Sequence, residues 1–335
     1  MREGYRDRYR YEGMRINKNI YSRLGTLVVP VFTRLTRKEL DTLRRLNIEL
    51  GDEDVEQISV LHLINSAVRE INEAFEIVRQ SGRIPFDRIR KNIIPIIVDM
   101  SQHTALNPIL IHLEQHDDYT YRHSIGVALF ARMIGRAKGL RGQDLLDLTI
   151  SGFLHDVGKA KISPEILRKT EELTREEYEQ IKRHTVYGYE LIRNATGTSP
   201  RQAIVALQHH EREDGSGYPY ALKGDEIDRY SKMVAVADVF HAMISKRMYK
   251  RSIPFYKALQ EMSDYAYNKL EPAVTLGWIK RIMDLTIGNR VVLSNGSEGR
   301  IIMVSSDNPV HPLVEVNGRY IDLSREPEIA LERII

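Results

Sequence analysis

The run Gly152-Phe153-Leu154-His155-Asp156-Val157-Gly158-Lys159 sets an imidazole beside a carboxylate at the end of an apolar stretch. That pair offers two ligands for a divalent metal. Alone it means little, because neighbours on a helix point in different directions and most such pairs are surface residues. Its company gives it weight. His123 lies upstream, and His184, His209, His210 and Asp238 follow, so five of the eleven histidines fall in one constellation. Any one of them is more simply a hydrogen-bonded core or surface histidine. Taken together they suit a two-metal site, which needs roughly six protein ligands facing one cavity and is built in helical bundles from inward side chains of different helices. Imidazole and carboxylate ligands without sulfur suit iron or manganese and do not exclude zinc.

The elements that must position these residues read as helices. Ser124–Lys138 carries Ile125, Ala128, Leu129, Met133 and Ile134 on one side, and Asp144–Asp156 carries Leu145, Leu148, Gly152 and His155. Thr174 and Glu177 form a capping box. The helix it opens runs to Ile192, with Ile181, His184, Gly188 and Leu191 in line, which turns His184 inward. Ser199-Pro200 starts Arg201–Glu211 with an N-cap and a first-turn proline, and Ser231–Lys246 follows. The histidines thus come from four helices and Asp238 from a fifth. Lys159, about one turn after His155, adds positive charge at the same cavity. In Asp214–Pro219 the glycines permit positive φ, close backbone approach and amides free for an anion.

The chain has 335 residues, 42% of them apolar and 28% charged, which suits a principal domain with additions. It has no cysteine, so disulfides and thiolate sites are excluded. No apolar run approaches the ~20 residues of a membrane span, and the N-terminus lacks a signal-peptide core. A cytoplasmic protein is expected. Net charge is +3, yet residues 1–50 hold twelve Lys/Arg against six Asp/Glu. The arm to Arg15 interleaves Arg2, Arg6, Arg8, Arg10 and Arg15 with Tyr5, Tyr9 and Tyr11; a solvated tail is the simpler reading, and contact with nucleic acid or an anionic membrane the sharper one.

Residues 16–36 read as short strands, followed by a capping box, Thr36 with Glu39, opening a helix to about Leu46. Ile58, Leu61, Ile64, Val68, Ile71, Phe75 and Val78 form one face of a long helix, which either packs in the core or pairs with a second subunit in a homodimer. Pro95 starts or kinks a helix. Past Leu285 the period changes to two: 289–293, 300–304, 312–316 and 319–323 read as strands, the last pair joined by Asn317-Gly318. Pairing of these strands with those of 16–36 is expected. The fold class is mainly α: a helical bundle with a small N-terminal α/β module and a small C-terminal β-appendage. The divisions read as 1–50, 51–115, 116–285 and 286–335.

Motifs over roughly half the chain make a resemblance specific. They are Asp117-Asp118-Tyr119-Thr120 leading to His123-Ser124, then Leu154-His155-Asp156-Val157-Gly158-Lys159, then His184-Thr185 with Gly188. His209-His210-Glu211, Asp214-Gly215-Ser216-Gly217-Tyr218-Pro219, Ala235-Val236-Ala237-Asp238-Val239-Phe240, Arg247 and Tyr249-Lys250 complete them. The chain resembles the HD-GYP family, a branch of the HD superfamily of metal-dependent phosphohydrolases. The resemblance implies an HD-type bundle and a phosphodiesterase of cyclic di-GMP, yielding linear pGpG and often GMP. It makes His123, His155, Asp156, His184, His209, His210 and Asp238 metal ligands, with Asp156 bridging two metals. It makes Lys159, Arg247 and Lys250 basic contacts to substrate, with Asp117 and the Gly217-Tyr218-Pro219 loop in the substrate site. The same loop is implied as a surface for diguanylate cyclase-type domains. Two metals ~3.5–4 Å apart can share a hydroxide and neutralise developing phosphodiester charge, which agrees with those roles.

The chain departs from the family twice. His241 stands where Asp is usual, three residues after Asp238 and on the same helix face. It is open to three roles: an extra ligand, a titrating group, or a residue lining the pocket. Tyr119 stands where some members carry a Glu that binds a third metal, so two metals are expected. The rivals are a catalytically weak signalling or binding protein that keeps the fold, and a phosphohydrolase of another nucleotide.

Overall fold

A computed structural model describes residues 10–30, 33, 35–56, 60–101, 113, 119–245 and 255–334. The chain divides into two compact units, Met1–Leu63 and Ile64–Ile335.

In the first unit, β1 (Arg15–Ile16) pairs antiparallel with β4 (Val55–Glu56), and β2 (Ile20–Tyr21) with β3 (Leu27–Val29). The helix α1 (Arg37–Arg45) starts at the expected capping box, Thr36 with Glu39. Ile16, Ile20, Val29, Leu35, Leu43 and Val55 close a small core. The described end of the basic arm is no free tail. Arg10 pairs with Asp52 at 2.9 Å, and Tyr11 and Met14 pack on that core.

The long helix α2 (Val60–Ser81) has its apolar face, Ile64, Val68, Ile71, Phe75 and Val78, buried. Phe75 meets Tyr121 edge-on at 5.6 Å, so this face is used in the chain's own packing. Pro95 lies in α3 (Ile94–Met100), which continues directly from a π-turn, Ile89–Ile93, where Ile94 N–H reaches back five residues to Ile89 O; the proline sits at that irregularity in a helical run.

The bundle comprises α4 (Tyr119–Ala137), α5 (Gly142–Leu154), α6 (Arg175–Lys182), α7 (His184–Arg193), α8 (Pro200–Gln208), α9 (Arg229–Ile244), α10 (Phe255–Tyr265) and α11 (Pro272–Asp284). Phe130, Phe153, Phe240 and Trp278 fill its centre. One expected element is corrected. The helix predicted from Thr174 to Ile192 breaks at Arg183, and His184 begins a new one. The capping box at Thr174 and Glu177 is present.

At the C-terminal end, β5 (Arg290–Leu293), β6 (Glu298–Met303), β7 (Leu313–Val316), β8 (Arg319–Asp322) and β9 (Leu331–Ile334) form one antiparallel sheet in the order β8-β7-β6-β5-β9. Asn317 and Gly318 both take positive φ, 51° and 78°, as a tight hairpin requires. The expected pairing with the N-terminal strands is overturned. Among the described residues the N-terminal strands pair with one another, β1 with β4 and β2 with β3, and the C-terminal strands form a sheet of their own. Among the described residues no helix is long and apolar enough to cross a membrane.

Candidate metal centre

Five helices bring the ligands together. His123 lies in α4, His155-Asp156 follows α5, His184 opens α7, His209-His210 follows α8, and Asp238 lies in α9. His155 and Asp156 converge because the helix stops at Leu154 and the chain turns at Asp156 into a 3-10 turn, Val157–Lys161. That turn crosses α7 so closely that a Cβ on Gly158 would overlap the backbone of His184.

Three rings share one device. The last carbonyls of a helix lack an i+4 N–H partner. His155 caps α5 and donates from Nδ1 to Gly152 O at 2.8 Å; His209 caps α8 and donates to Ala206 O at 2.9 Å. His184, just past α6, donates to Ile181 O at 2.6 Å. A carbonyl only accepts, so each Nδ1 carries the hydrogen and each neutral ring turns an Nε2 lone pair inward.

Those lone pairs meet Asp156, which is 2% exposed. Its Oδ1 lies 3.3 Å from His184 Nε2 and 3.8 Å from His209 Nε2. Its Oδ2 lies 3.3 Å from His155 Nε2 and 3.7 Å from His123 Nε2. The ligand atoms fall into two groups, Asp156 with His184, His209 and His210, and His123 with His155 and Asp238. Within each, the atoms lie within 4.8 Å of one another. Asp238 Oδ1 is 3.0 Å from His123 Nε2. Among the described residues buried His155 Nε2 and Asp156 Oδ1 have no hydrogen-bond partner, a condition that suits atoms facing a cation. The residues therefore fit a metal.

Electrostatics agree. Burial pushes Asp156 up, but Lys159, His155 and His184 outweigh it and hold the carboxyl well below its usual range. Burial likewise opposes ionisation of Asp238, and the adjoining His123, His155 and His210 rings overcome it. Burial holds His209 and His210 well below the ordinary imidazole value, and lowers His184 to about 4. Burial also lowers His123 against the pull of Asp238. His155 alone shifts up, because Asp156 outweighs its burial. Ionised carboxylates beside imidazoles held neutral, as at His123, His184, His209 and His210, are the protonation states a metal needs, and at His155 an ion would have to displace a proton.

Lys159 Nζ reaches Asp156 Oδ2 at 2.5 Å, so its charge does arrive at this cavity. Tyr218 stacks on His210, with ring centroids 4.6 Å apart. The Gly217-Tyr218-Pro219 loop confirms one use foreseen for its glycines. A Cβ on Gly217 would fall 2.5 Å from Arg212 N and His210 O. The amides of Gly215, Ser216 and Tyr218 bond Arg212 O, Asp214 Oδ1 and His210 O, so those three are not the ones open to an anion. Asp117, Arg247 and Lys250 lie outside the described residues, as does the side chain of Tyr119.

Sequence reading gave Glu211 no role. It is 2% exposed and accepts from Tyr220 N at 2.8 Å and Leu222 N at 3.0 Å, tying down the chain beyond the loop. Its place directly after the histidine doublet was the available signal. His241, fully buried, is in neither ligand group; its Nδ1 lies 3.0 Å from His123 Nδ1, on the ring edge away from the ligand nitrogen.

The fold and site together define a class: a helical bundle with a buried histidine–aspartate cluster able to hold metal. Residues 99–274 match the HD domain family, more than half the chain, and the chain belongs to that family. It is 32% identical over 209 residues to the cyclic di-GMP phosphodiesterase PA4108 of Pseudomonas aeruginosa, covering 62% of this chain and 50% of that protein. It is 31% identical over 156 residues to 3'3'-cGAMP-specific phosphodiesterase 3 of Vibrio cholerae, covering 46% of this chain and 33% of that one. The chain thus spans half or less of these relatives. Its fold is similar to that of Bd1817, an HDG"Y"P protein of Bdellovibrio bacteriovorus, with a TM-score of 0.53 at 14% identity over 79% of this chain and 94% of that one. The resemblance to the HD-GYP branch is borne out.

Proposed function

We propose that this chain is a metal-dependent phosphodiesterase that cleaves cyclic di-GMP to linear pGpG and then, more slowly, to GMP. One observation carries the proposal: Asp156 turns one oxygen toward each of two ligand groups, as a bridging carboxylate must. Membership of the HD domain family supports the hydrolase, and the relative named for cyclic di-GMP supports the substrate.

Asp156, His184, His209 and His210 would hold one divalent ion, and His123, His155 and Asp238 a second, with Asp156 common to both. Iron or manganese suits the donors best, with zinc as the alternative. Bound there, the ions supply Lewis-acid charge and an activated water. The chain's own residues do the rest. Backbone carbonyls hold three rings with their lone pairs inward. Lys159 places positive charge beside the shared carboxylate, where it serves a substrate phosphate as charge develops. Asp117, Arg247, Lys250 and the Gly217-Tyr218-Pro219 loop complete the substrate site in this reading. The loop as a surface for a diguanylate cyclase-type domain, a homodimer and a cytoplasmic setting belong to the same proposal.

A second reading, another cyclic dinucleotide as substrate, is favoured by the relative named for 3'3'-cGAMP. Elemental analysis of the purified chain, with product analysis from a panel of cyclic dinucleotides, tests both. We expect two metals per chain and pGpG as first product. Preference for 3'3'-cGAMP would move the substrate to the second reading. Metal without turnover of any panel member would leave a binding protein that keeps the fold, and three metals per chain would overturn the two-metal assignment.

A further inference from the structure

We propose that His241 is a positioning residue: it accepts the Nδ1 hydrogen of His123 and so holds that ring's Nε2 lone pair toward the metal. This inference rests on the metal reading of the site. It starts from a contact between two like atoms. His123 Nδ1 and His241 Nδ1 are 3.0 Å apart, both rings are buried, and 3.0 Å is hydrogen-bond distance. Two lone pairs repel at that distance and two N–H groups collide, so one nitrogen donates and the other accepts. His123 Nε2 belongs to a ligand group with His155 and Asp238 and must stay unprotonated to bind a metal. The hydrogen of neutral His123 is then on Nδ1, and His241 must accept it. His241 carries its own hydrogen on Nε2. Each ring keeps one proton.

Two further contacts bear on this role. The His241 Nδ1 also lies 3.1 Å from Ser245 Oγ, one turn on; in this tautomer the hydroxyl shares the single lone pair with the shorter His123 contact. The opposite ring edge lies flat on α4 at Gly126, where a Cβ would overlap both Cδ2 and Nε2. Among the described residues His241 Nε2 has no hydrogen-bond partner, so in this tautomer its N–H stays unpaired, a cost set against the contact at Nδ1. A glycine one turn after His123 thus makes room for the ring that orients His123. Position 241 is therefore read here through the tautomer of its neighbour, and an extra metal ligand is not needed to explain it.

The test uses zinc as the probe and the full chain. Zinc stoichiometry and affinity would be measured by competition with a chromophoric chelator for wild type, His241→Asn and His241→Leu. Asparagine can place an oxygen where Nδ1 stands; leucine fills similar space and accepts nothing. We expect His241→Leu to weaken one zinc equivalent by ~10–100-fold, the scale of losing a partner that orients a metal-bound histidine. The other equivalent should stay within about twofold, and His241→Asn should recover most of the loss. Equal affinities for wild type and His241→Leu, or an asparagine variant no better than leucine, would overturn the inference while leaving the metal site standing. A wild-type chain that binds no zinc would remove both. Should His241→Leu fail to fold, long-range ¹H–¹⁵N correlation on the zinc-loaded wild type reads the tautomers directly. His123 as Nδ1–H with His241 as Nε2–H supports the proposal, and the reverse assignment overturns it.

Discussion

In one half of the metal centre, His184 and His209 stand at helix ends with Nδ1 on backbone carbonyls. In the other, His155 is held in the same way by Gly152 O, but His123 sits inside α4 and its Nδ1 meets a side chain, His241. The first arrangement needs only a helix that stops in the right place, because any residue leaves a carbonyl there. The second depends on which residue occupies a neighbouring helix. This is how position 241 can depart from the family's usual Asp while every ligand stays. Asp156 joins the two halves, so changes can be sorted by the half they reach.

Asp156→Ala should have the largest effect, since it removes the one residue both halves share. Metal content should fall well below that of wild type. Hydrolysis should drop ~10³-fold or more, the several-kcal/mol scale of lost metal charge stabilisation. Far-UV circular dichroism should stay helical. Loss of one metal with the other held at full occupancy would show that the halves are independent and break the comparison.

Lys159→Ala comes next. Its Nζ touches Asp156 Oδ2, so it serves the shared point and neither half in particular. Transition-state stabilisation should fall by ~2–4 kcal/mol, the scale of losing one preorganised electrostatic donor. Metal content should stay at the wild-type level. Unchanged kcat/KM with metal retained would take Lys159 out of the reaction.

Two glycines sharpen the contrast between a backbone anchor and a side-chain anchor. A Cβ on Gly158 would strike the backbone of His184, which cannot swing aside. Gly158→Ala should cost about 3 kcal/mol or more in urea unfolding. A Cβ on Gly126 would strike a ring, which can turn away. Gly126→Ala should cost only about 1–2 kcal/mol. Its metal defect should be confined to the His123 half, read as one weakened zinc equivalent. Equal costs at the two positions would mean that the anchors do not differ in rigidity.

Much of this was legible in residue types and spacing. Thr36 with Glu39, Thr174 with Glu177 and Ser199 with Pro200 mark helix starts that the structure keeps, because capping is a local exchange of hydrogen bonds. Asn317-Gly318 marks its hairpin for the same reason: the turn needs two positive φ values and little else. The choice of histidine and aspartate marked residues able to hold a metal, because donor type is carried by the residue itself. The short strand β9 escaped notice because four residues at the chain end carry too little periodicity to read.

Tertiary structure decided what depends on packing. The break at Arg183 interrupts a pattern that reads as one continuous amphipathic helix, and it places His184 over the Ile181 carbonyl. That Asp156 turns Oδ1 to His184 and Oδ2 to His155 follows from where five helices cross, which no spacing along the chain encodes. Asp238 and His241 share a helix face, as their spacing requires. That one reaches His123 at Nε2 and the other at Nδ1 depends on α4 lying against α9, with Gly126 leaving space for a ring. Sequence determined which atoms could bind a metal, because donor chemistry belongs to the residue. Packing determined which nitrogen of each ring faces inward, because a tautomer is set by the neighbour of its other nitrogen.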